Sequence, residues 1–221
     1  MLLKKGAEAD IFKERFSRTV HPAGKGNVVI KLRKIKKYRI PEIDVVLRES
    51  RTALEAKLIS DAKRAGVPTP AIYHVDRKNT KIIMQYVKGK QVKHFMNEAK
   101  PEERKRICRE IGKIVARLHR SGIAHGDLTT SNMILAGDDK VYLIDFGLGE
   151  YNSSTEARGV DLHLLRRALE SVHFRFSKSA YVEVLKGYAM EFGKGAEEII
   201  NRAEEISRRG RYVEREERPW R

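Results

Sequence analysis

What the chain lacks narrows its chemistry. One of its 221 residues is a cysteine, Cys108, so no internal disulfide can form and no thiolate cluster can hold a metal. A reducing, cytoplasmic setting is expected. The seven histidines are scattered rather than grouped as ligands. No apolar run approaches the ~20 residues that a membrane span needs. The opening MLLKK meets a lysine after three residues, so neither membrane anchor nor leader is expected. Repeats and low-complexity segments are absent. Acidic residues are in short supply: 30 Asp plus Glu against 46 Lys plus Arg leave a net charge of +16. That field favours nucleic acid, nucleotide phosphates or an acidic protein surface, although charge-rich surfaces of heat-adapted proteins are also highly ionic. The 41% of apolar residues suffices for one large domain or two modest lobes.

The pattern along the chain is bipartite. AEADIF and NVVIKL, separated by the turn-rich HPAGKGN, read as two strands. From Pro41 to Ala65, the residues Ile43, Val46, Leu47, Leu54, Leu58 and Ala62 recur at helical spacing until Gly66 and Pro68 end the run, which predicts one amphipathic helix. PAIYHVD and KIIMQYV then read as a hairpin turning near Asn79 and Thr80. A second lobe opens on Pro101 and Glu102, first-turn residues of a helix striped by Ile107, Ile111, Ile114, Val115 and Leu118 and stopped by Gly122. HGDLTTSNMIL and KVYLIDFG read as a loop and two short strands around the GDD turn. VDLHLLRRALESV and YVEVLKGYAMEF are further helices, and the chain from Asn201 reads as a charged helix fading into a tail. The expected boundaries are 1–88 for the first lobe, 89–206 for the second and 207–221 for a basic tail.

The chemistry concentrates in HGDLTTSN, His125 to Asn132, and IDFGLG, Ile144 to Gly149. Transfer of a terminal phosphoryl group requires neutralising the polyphosphate, usually with Mg²⁺, and positioning the attacking group. Oxygen donors suit that hard cation. Asp145, ahead of Phe146 and Gly147, is the candidate ligand for a metal bridging phosphates, Asn132 offers a carbonyl oxygen to a second metal, and Asp127 is left to accept or orient the nucleophile's proton. The order and the intervals of five and thirteen residues resemble the protein-kinase superfamily. That resemblance makes Lys31 of VVIK the ligand of the α- and β-phosphates and Glu55 its ion-pair partner, with Glu49 as the alternative. It makes MQYV the hinge: Met84 as gatekeeper, the Gln85 carbonyl and Val87 amide toward the adenine edge, and Ile134 as the apolar floor. A lone Asp-Phe-Gly is a common turn and a lone strand lysine often snorkels; the joint order is what specifies a site. His125 reads as a structural loop residue, and Asp161 either caps its helix or, by resemblance, hydrogen-bonds the catalytic loop.

Departures from an ordinary protein kinase are as telling. The glycine-rich roof is replaced by KGAEADIF with the single glycine Gly6, and Gly126 replaces the arginine that would clamp a phosphorylated loop. Thirteen residues separate Gly147 from Asp161 and 76 follow Asp145, so a standard peptide-docking platform is not expected. This truncated plan resembles the small atypical kinase family of the KEOPS complex, also called the PRPK family and related to the RIO kinases. The motifs that carry the resemblance are KGAEADIF, VIKLRKIKKYRIPEID, LRESRTALEAKLI, AGVPTP, HGDLTTSNMI, LIDFGLG, GVDLHLLRRAL and RRGR. It implies an α+β, truncated bilobal kinase-like fold with a small antiparallel-sheet N-lobe and a reduced, mainly helical C-lobe. ATP and Mg²⁺ are the implied cofactors. The implied activity is that of an ATPase and Ser/Thr kinase supporting threonylcarbamoylation of the adenosine beside the anticodon of tRNAs reading codons that begin with adenine. The threonylcarbamoyltransferase subunit, other KEOPS subunits and tRNA are its implied partners.

The basic stretch KLRKIKKYR, with Lys34, Lys36 and Lys37, and the cluster Arg208, Arg209 and Arg211 are candidate contacts for RNA or an acidic subunit. Two other readings stay open. Small-molecule phosphotransferases of the aminoglycoside-kinase type also carry His-Gly-Asp, but need more helical structure after the second aspartate. A noncatalytic nucleotide-binding scaffold would act through its partner and RNA surfaces alone.

Overall fold

The computed structural model describes residues 1–16 and 26–216, with the backbone alone at 16 and 210–216. The expected turn HPAGKGN thus lies largely outside the described residues. The N-terminal half is a five-stranded antiparallel sheet in the order β1-β2-β3-β5-β4. Its strands are β1 (Leu2–Lys5), β2 (Ala9–Phe16), β3 (Gly26–Arg33), β4 (Ile72–Asp76) and β5 (Lys81–Gln85), and helix α1 (Pro41–Arg64) crosses between β3 and β4. Strand β1 was not anticipated: LLKK is a fully exposed edge without apolar alternation, the kind of short edge that leaves little pattern.

Helix α1 begins with Pro at its first turn and carries Glu42 and Asp44 there, against Lys63 and Arg64 in its last, matching the helix dipole at both ends. Its buried face is not the expected stripe. Ile43, Val46 and Leu54 are exposed, whereas Asp44, Thr52, Glu55, Ala56 and Ile59 join Leu58 and Ala62 in the interior. The helix turns polar groups inward because they have partners there: Asp44 takes Arg48 at 2.6 Å, Thr52 donates to the Arg48 carbonyl, and Glu55 enters the site.

The C-terminal half is mainly helical: α2 (Val92–Glu98), α3 (Pro101–Arg120), α4 (Thr155–Val172), α5 (Ser177–Phe192) and α6 (Ala196–Glu216). Two short sheets carry its loops, one of β6 (Gly89–Gln91), β8 (Met133–Ala136) and β9 (Val141–Leu143), the other of β7 (Ile123–Ala124) and β10 (Glu150–Tyr151). The whole stripe expected on α3 is buried, packed with Leu128, Met133, Phe146, Leu162 and Tyr188 in one core. Helix α6 runs on to Glu216, so the tail placed from 207 onward begins inside a helix; Ser207 itself is buried because the amphipathic pattern continues past the expected boundary. No helix among the described residues is long and apolar enough to cross a membrane.

Helices α3 and α5 meet backbone to backbone. A Cβ on Gly112 would lie 2.0 Å from the Val184 carbonyl oxygen, and one on Gly187 would lie 2.0 Å from that of Arg109. Gly112→Ala should therefore destabilise by about 1–3 kcal/mol through overpacking, although alanine raises helix propensity. Urea unfolding decides, and a variant as stable as the parent would show that the helices can separate freely.

Candidate active site

Strand alternation places Lys31 and Arg33 on one face of β3, opposite Ile11 and Ala9 of β2. Helix α1 brings Glu55 beneath them. Lys31 Nζ lies 2.5 Å from Glu55 Oε1 and 2.6 Å from Asp145 Oδ1, while Arg33 Nη2 lies 2.5 Å from Glu55 Oε2. Glu55, not Glu49, is thus the carboxylate of α1 that meets Lys31. Burial pulls the Lys31 ammonium toward its neutral form, but Glu55 and Asp145 outweigh that and hold it above its ordinary range. Burial likewise opposes the Asp145 charge, and Lys31 prevails, keeping that carboxyl below its ordinary range. Asp145 is held with φ +64°, the left-handed region that costs a non-glycine residue and persists where surroundings over-determine it.

The loop after β7 carries His125, Gly126 and Asp127. Gly126 has φ +75°, and a Cβ there would stand 2.2 Å from the Leu148 carbonyl oxygen. An arginine is therefore excluded on backbone grounds before charge is considered. Asp161, in the first half of α4, accepts the His125 amide at 2.6 Å, the Gly126 amide at 2.9 Å and His119 Nε2 at 3.2 Å. It spans the loop from below rather than capping α4, whose N-cap is Ser154. Burial raises the Asp161 carboxyl, but the His119 hydrogen bond and nearby imidazoles outweigh it and hold it low. His125 is buried against Phe146, with ring centroids 4.6 Å apart. Its Nδ1 accepts the Asp127 amide at 3.3 Å, so the proton sits on Nε2, which donates to the Ile144 carbonyl at 3.2 Å. Burial favours this neutral form over the pull of Asp161 and Asp145.

Asn132 closes the loop. A single 3₁₀ turn, Thr130–Asn132, aims its Nδ2 at the Asp127 carbonyl at 3.0 Å and at Asp127 Oδ2 at 2.8 Å. The amide nitrogen is spent on Asp127, so what Asn132, a residue lining the cleft, still offers as an acceptor is its side-chain oxygen.

Two adjoining cavities give the cleft its shape. One, of about 500 Å³, is lined by Met84, Gln85, Val87 and Ile134 at its hinge side and by Lys31, Glu55, Asn132 and Asp145 at its charged end. The other, of about 240 Å³, lies under the β1–β2 turn and is lined by Gly6, Lys31, Arg33, Asp127, Asp145 and Gly147. An apolar slot leading into a charged end matches the division of a nucleotide into base and phosphates. The structure thus gathers around one cleft all the residues expected there. Arg33 was not among them; the strand's period of two, which sets it on the face of Lys31, is the signal that could have found it.

The basic stretch behaves differently from expectation. Lys34 Nζ bonds the Gly6 carbonyl at 3.0 Å and approaches Asp10 at 2.9 Å, and Lys36 Nζ bonds the Ala7 carbonyl at 2.6 Å and Glu8 at 3.0 Å. Both lysines latch the turn that roofs the cleft, because its carbonyls and the carboxylates of Glu8 and Asp10 lie within their reach, so each already has partners within the chain. Lys37 is exposed. Arg208 and Arg209 are exposed on α6, Arg208 lying 3.8 Å from Glu204, and the Arg211 side chain lies outside the described residues.

A two-lobed cleft with a lysine–glutamate pair, a loop aspartate, an asparagine five residues on and an aspartate before Phe-Gly defines a protein kinase, and the protein kinase domain model matches residues 19–168. Within that class the chain belongs to the Bud32 family. It is 48% identical to the KEOPS complex subunit Bud32 of Pyrococcus abyssi over 97% of both chains. It is also 44% identical to a probable serine/threonine-protein kinase BUD32 homolog of Archaeoglobus fulgidus, over 86% of this chain and 90% of that one. A probable bifunctional tRNA threonylcarbamoyladenosine biosynthesis protein of Methanobrevibacter smithii is 43% identical over 96% of this chain, which spans only 37% of that longer protein. Among solved structures, a Rio2 kinase–ADP/Mg²⁺–phosphoaspartate complex from Chaetomium thermophilum shares the fold, with a TM-score of 0.63 at 17% identity over 96% of this chain and 70% of that one.

Removing Asp161 tests the support of the loop. Asp161→Ala leaves the buried His125 amide and the partly buried Gly126 amide without their acceptor, at about 1–3 kcal/mol for a buried group left unpaired. Hydrogen exchange at His125 and Gly126 should quicken by roughly tenfold or more while α1 is unaffected. Unchanged protection of both amides would place the support elsewhere.

Proposed function

We propose that the chain is an ATP-dependent phosphotransferase and ATPase that serves as the kinase subunit of a KEOPS complex, supporting threonylcarbamoyladenosine formation on tRNA by a partner transferase subunit. One observation carries the catalytic half of this reading: Lys31, paired to Glu55, reaches Asp145 at 2.6 Å in the same cleft where Asn132 holds Asp127 at 2.8 Å. Family membership carries the other half.

The donor set suits Mg²⁺. Asp145 and the side-chain oxygen of Asn132 are hard oxygen ligands, and an ion bound through one or two protein oxygens completes its shell with phosphate and water. No group of three or more His, Cys, Asp or Glu able to hold a metal occurs among the described residues. Bound there, the ion would neutralise phosphate charge. The chain's own residues do the rest. Met84, Gln85, Val87 and Ile134 receive the base. Lys31 binds the α- and β-phosphates, and the turn at Gly6 covers them. Asp127, oriented through its carboxylate by Asn132, accepts the proton of the attacking group.

Water fits as the main acceptor better than a peptide. The segment from Leu148 to Ser154, ahead of α4, is seven residues long, and its strand β10 already pairs with β7. Exposed Arg208 and Arg209, with Lys37 and the adjoining Arg211, would meet phosphates of tRNA or an acidic subunit surface.

The test measures Mg²⁺-dependent phosphate release and label incorporated into protein, for the chain alone and with the transferase subunit and tRNA. Release should exceed labelling and rise with partner and tRNA. Asp127→Asn should keep ATP binding and lose roughly 10²-fold or more in turnover, the range of general-base roles. Stoichiometric label without net release would make protein phosphorylation the activity, and unchanged turnover in Asp127→Asn would remove that residue from the mechanism.

Separately, Arg208→Glu with Arg209→Glu should lower tRNA affinity and flatten its salt dependence by about one to two phosphate contacts. Identical salt slopes would show that this end of α6 does not touch RNA.

A further inference from the structure

Arg33 falls within VIKLRKIKKYRIPEID but has no assigned role there, and its side chain is only 4% exposed. Burying a guanidinium is costly unless its donors are matched. Nη2 donates to Glu55 Oε2, whereas Nε finds no partner among the described residues. The side chain lines the charged end of the cleft beside Lys31, Asp127 and Asp145. A Cβ built on Gly147 would stand 3.5 Å from Lys31 Nζ and 3.6 Å from Arg33 Nη2, so both cations lie equally near the turn after Asp145.

Glu55 is therefore held at both oxygens, Oε1 by Lys31 and Oε2 by Arg33. A carboxylate held by one flexible ammonium can rotate with it, whereas the planar fork of an arginine adds directional placement. We propose that Arg33 is a positioning residue for nucleotide phosphates: by pinning Oε2 of Glu55 it fixes Oε1, and through it the Lys31 ammonium. This rests on the nucleotide reading of the cleft given above. In the present arrangement Lys31 is shared with Asp145, and a polyphosphate entering the cleft competes for the same ammonium. Glu55, pinned by Arg33, keeps its hold on the ammonium while the phosphates displace Asp145 from it, so that neither the buried carboxylate nor the lysine is left uncompensated.

The test compares equilibrium binding of Mg²⁺–ATP and of adenosine, alongside thermal unfolding, for wild type, Arg33→Met, Glu55→Gln and the double variant. Arg33→Met should weaken Mg²⁺–ATP by about tenfold, in the range of a charge-assisted hydrogen bond, with adenosine affinity unchanged. Placed on Glu55→Gln it should add less than about a twofold change, the ordinary limit of additivity for an effect that has lost its route. Mg²⁺–ATP affinity equal to wild type in Arg33→Met overturns the proposal, as does an equal loss for adenosine. A further large loss on top of Glu55→Gln also overturns it, since Arg33 would then act without Glu55. Should Arg33→Met alone fail to fold, the double variant removes both buried charges together, and its comparison with Glu55→Gln decides by the same criterion. Failure of wild type to bind Mg²⁺–ATP would sink the nucleotide reading and this inference with it; intact wild-type binding with unaltered variants would sink only the role of Arg33.

Discussion

One ammonium group, that of Lys31, is shared between Glu55 and Asp145, and the rest of the site depends on that sharing. Its partners come from α1 and from the loop after β9, so a single charge registers the sheet, the helix and the C-terminal loops against one another. Such a junction is a poor source of stability, because the desolvation of buried ions consumes most of the attraction between them. Its value is geometric. Both bonds exist together only when α1 lies against the sheet and Asp145 faces inward. Arg33 makes the junction itself two cations to two carboxylates, Lys31 and Arg33 against Glu55 and Asp145, where without it one carboxylate would be in excess. The inward polar face of α1 follows from the same demand: a helix that must deliver Glu55 cannot give that position to an apolar residue.

The C-terminal side of this junction is held without a switchable charge. Where phosphorylation-controlled kinases order a loop through new arginine–phosphate pairs, Gly126 here packs its backbone against Leu148. The segment that follows is tied by β10 to β7, by the Asn152 amide to the Gly122 carbonyl at 2.9 Å, and by the Tyr151 hydroxyl to Asp61 of α1 at 2.5 Å. Lys57 lies over the Tyr151 ring at 5.1 Å. The helix that carries Glu55 and the segment that follows Asp145 are therefore joined twice, once through Lys31 inside and once through Tyr151 outside. Coupling of that kind needs no modification to hold the charged residues together.

How much of this could be read from residues alone depends on what each residue is used for. The stripe on α3 was legible because a core helix obeys hydrophobic periodicity and little else. That Lys31, Asp127, Asn132 and Asp145 would meet at one cleft was legible because the kinase order restricts residue type and spacing at once. On α1 the periodic signal misled, since Ile43, Val46 and Leu54 stand outside while Glu55 stands inside. Strands β6, β7 and β10, of two or three residues, are too short to carry a period. Lys34 and Lys36 showed their charge but not their partners, because the carbonyls of Gly6 and Ala7 are brought to them only when the sheet forms. Gly112 and Gly187 carry no local signal either: each matters through a backbone on another helix.

The same shortness that hides these strands limits the acceptor. A peptide presented to Asp127 needs an ordered platform beside the loop, and here seven residues separate Gly147 from the start of α4, with two of them already paired to β7. The exposed Leu148 side chain beside the charged end of the cleft offers an apolar contact but no extended edge for a strand to join. Water needs no platform, and a hydroxyl on a partner can bring its own support. A site so built keeps the lysine, the aspartates and the asparagine of a kinase together beside a short following segment, an arrangement suited to a subunit that acts inside a larger assembly.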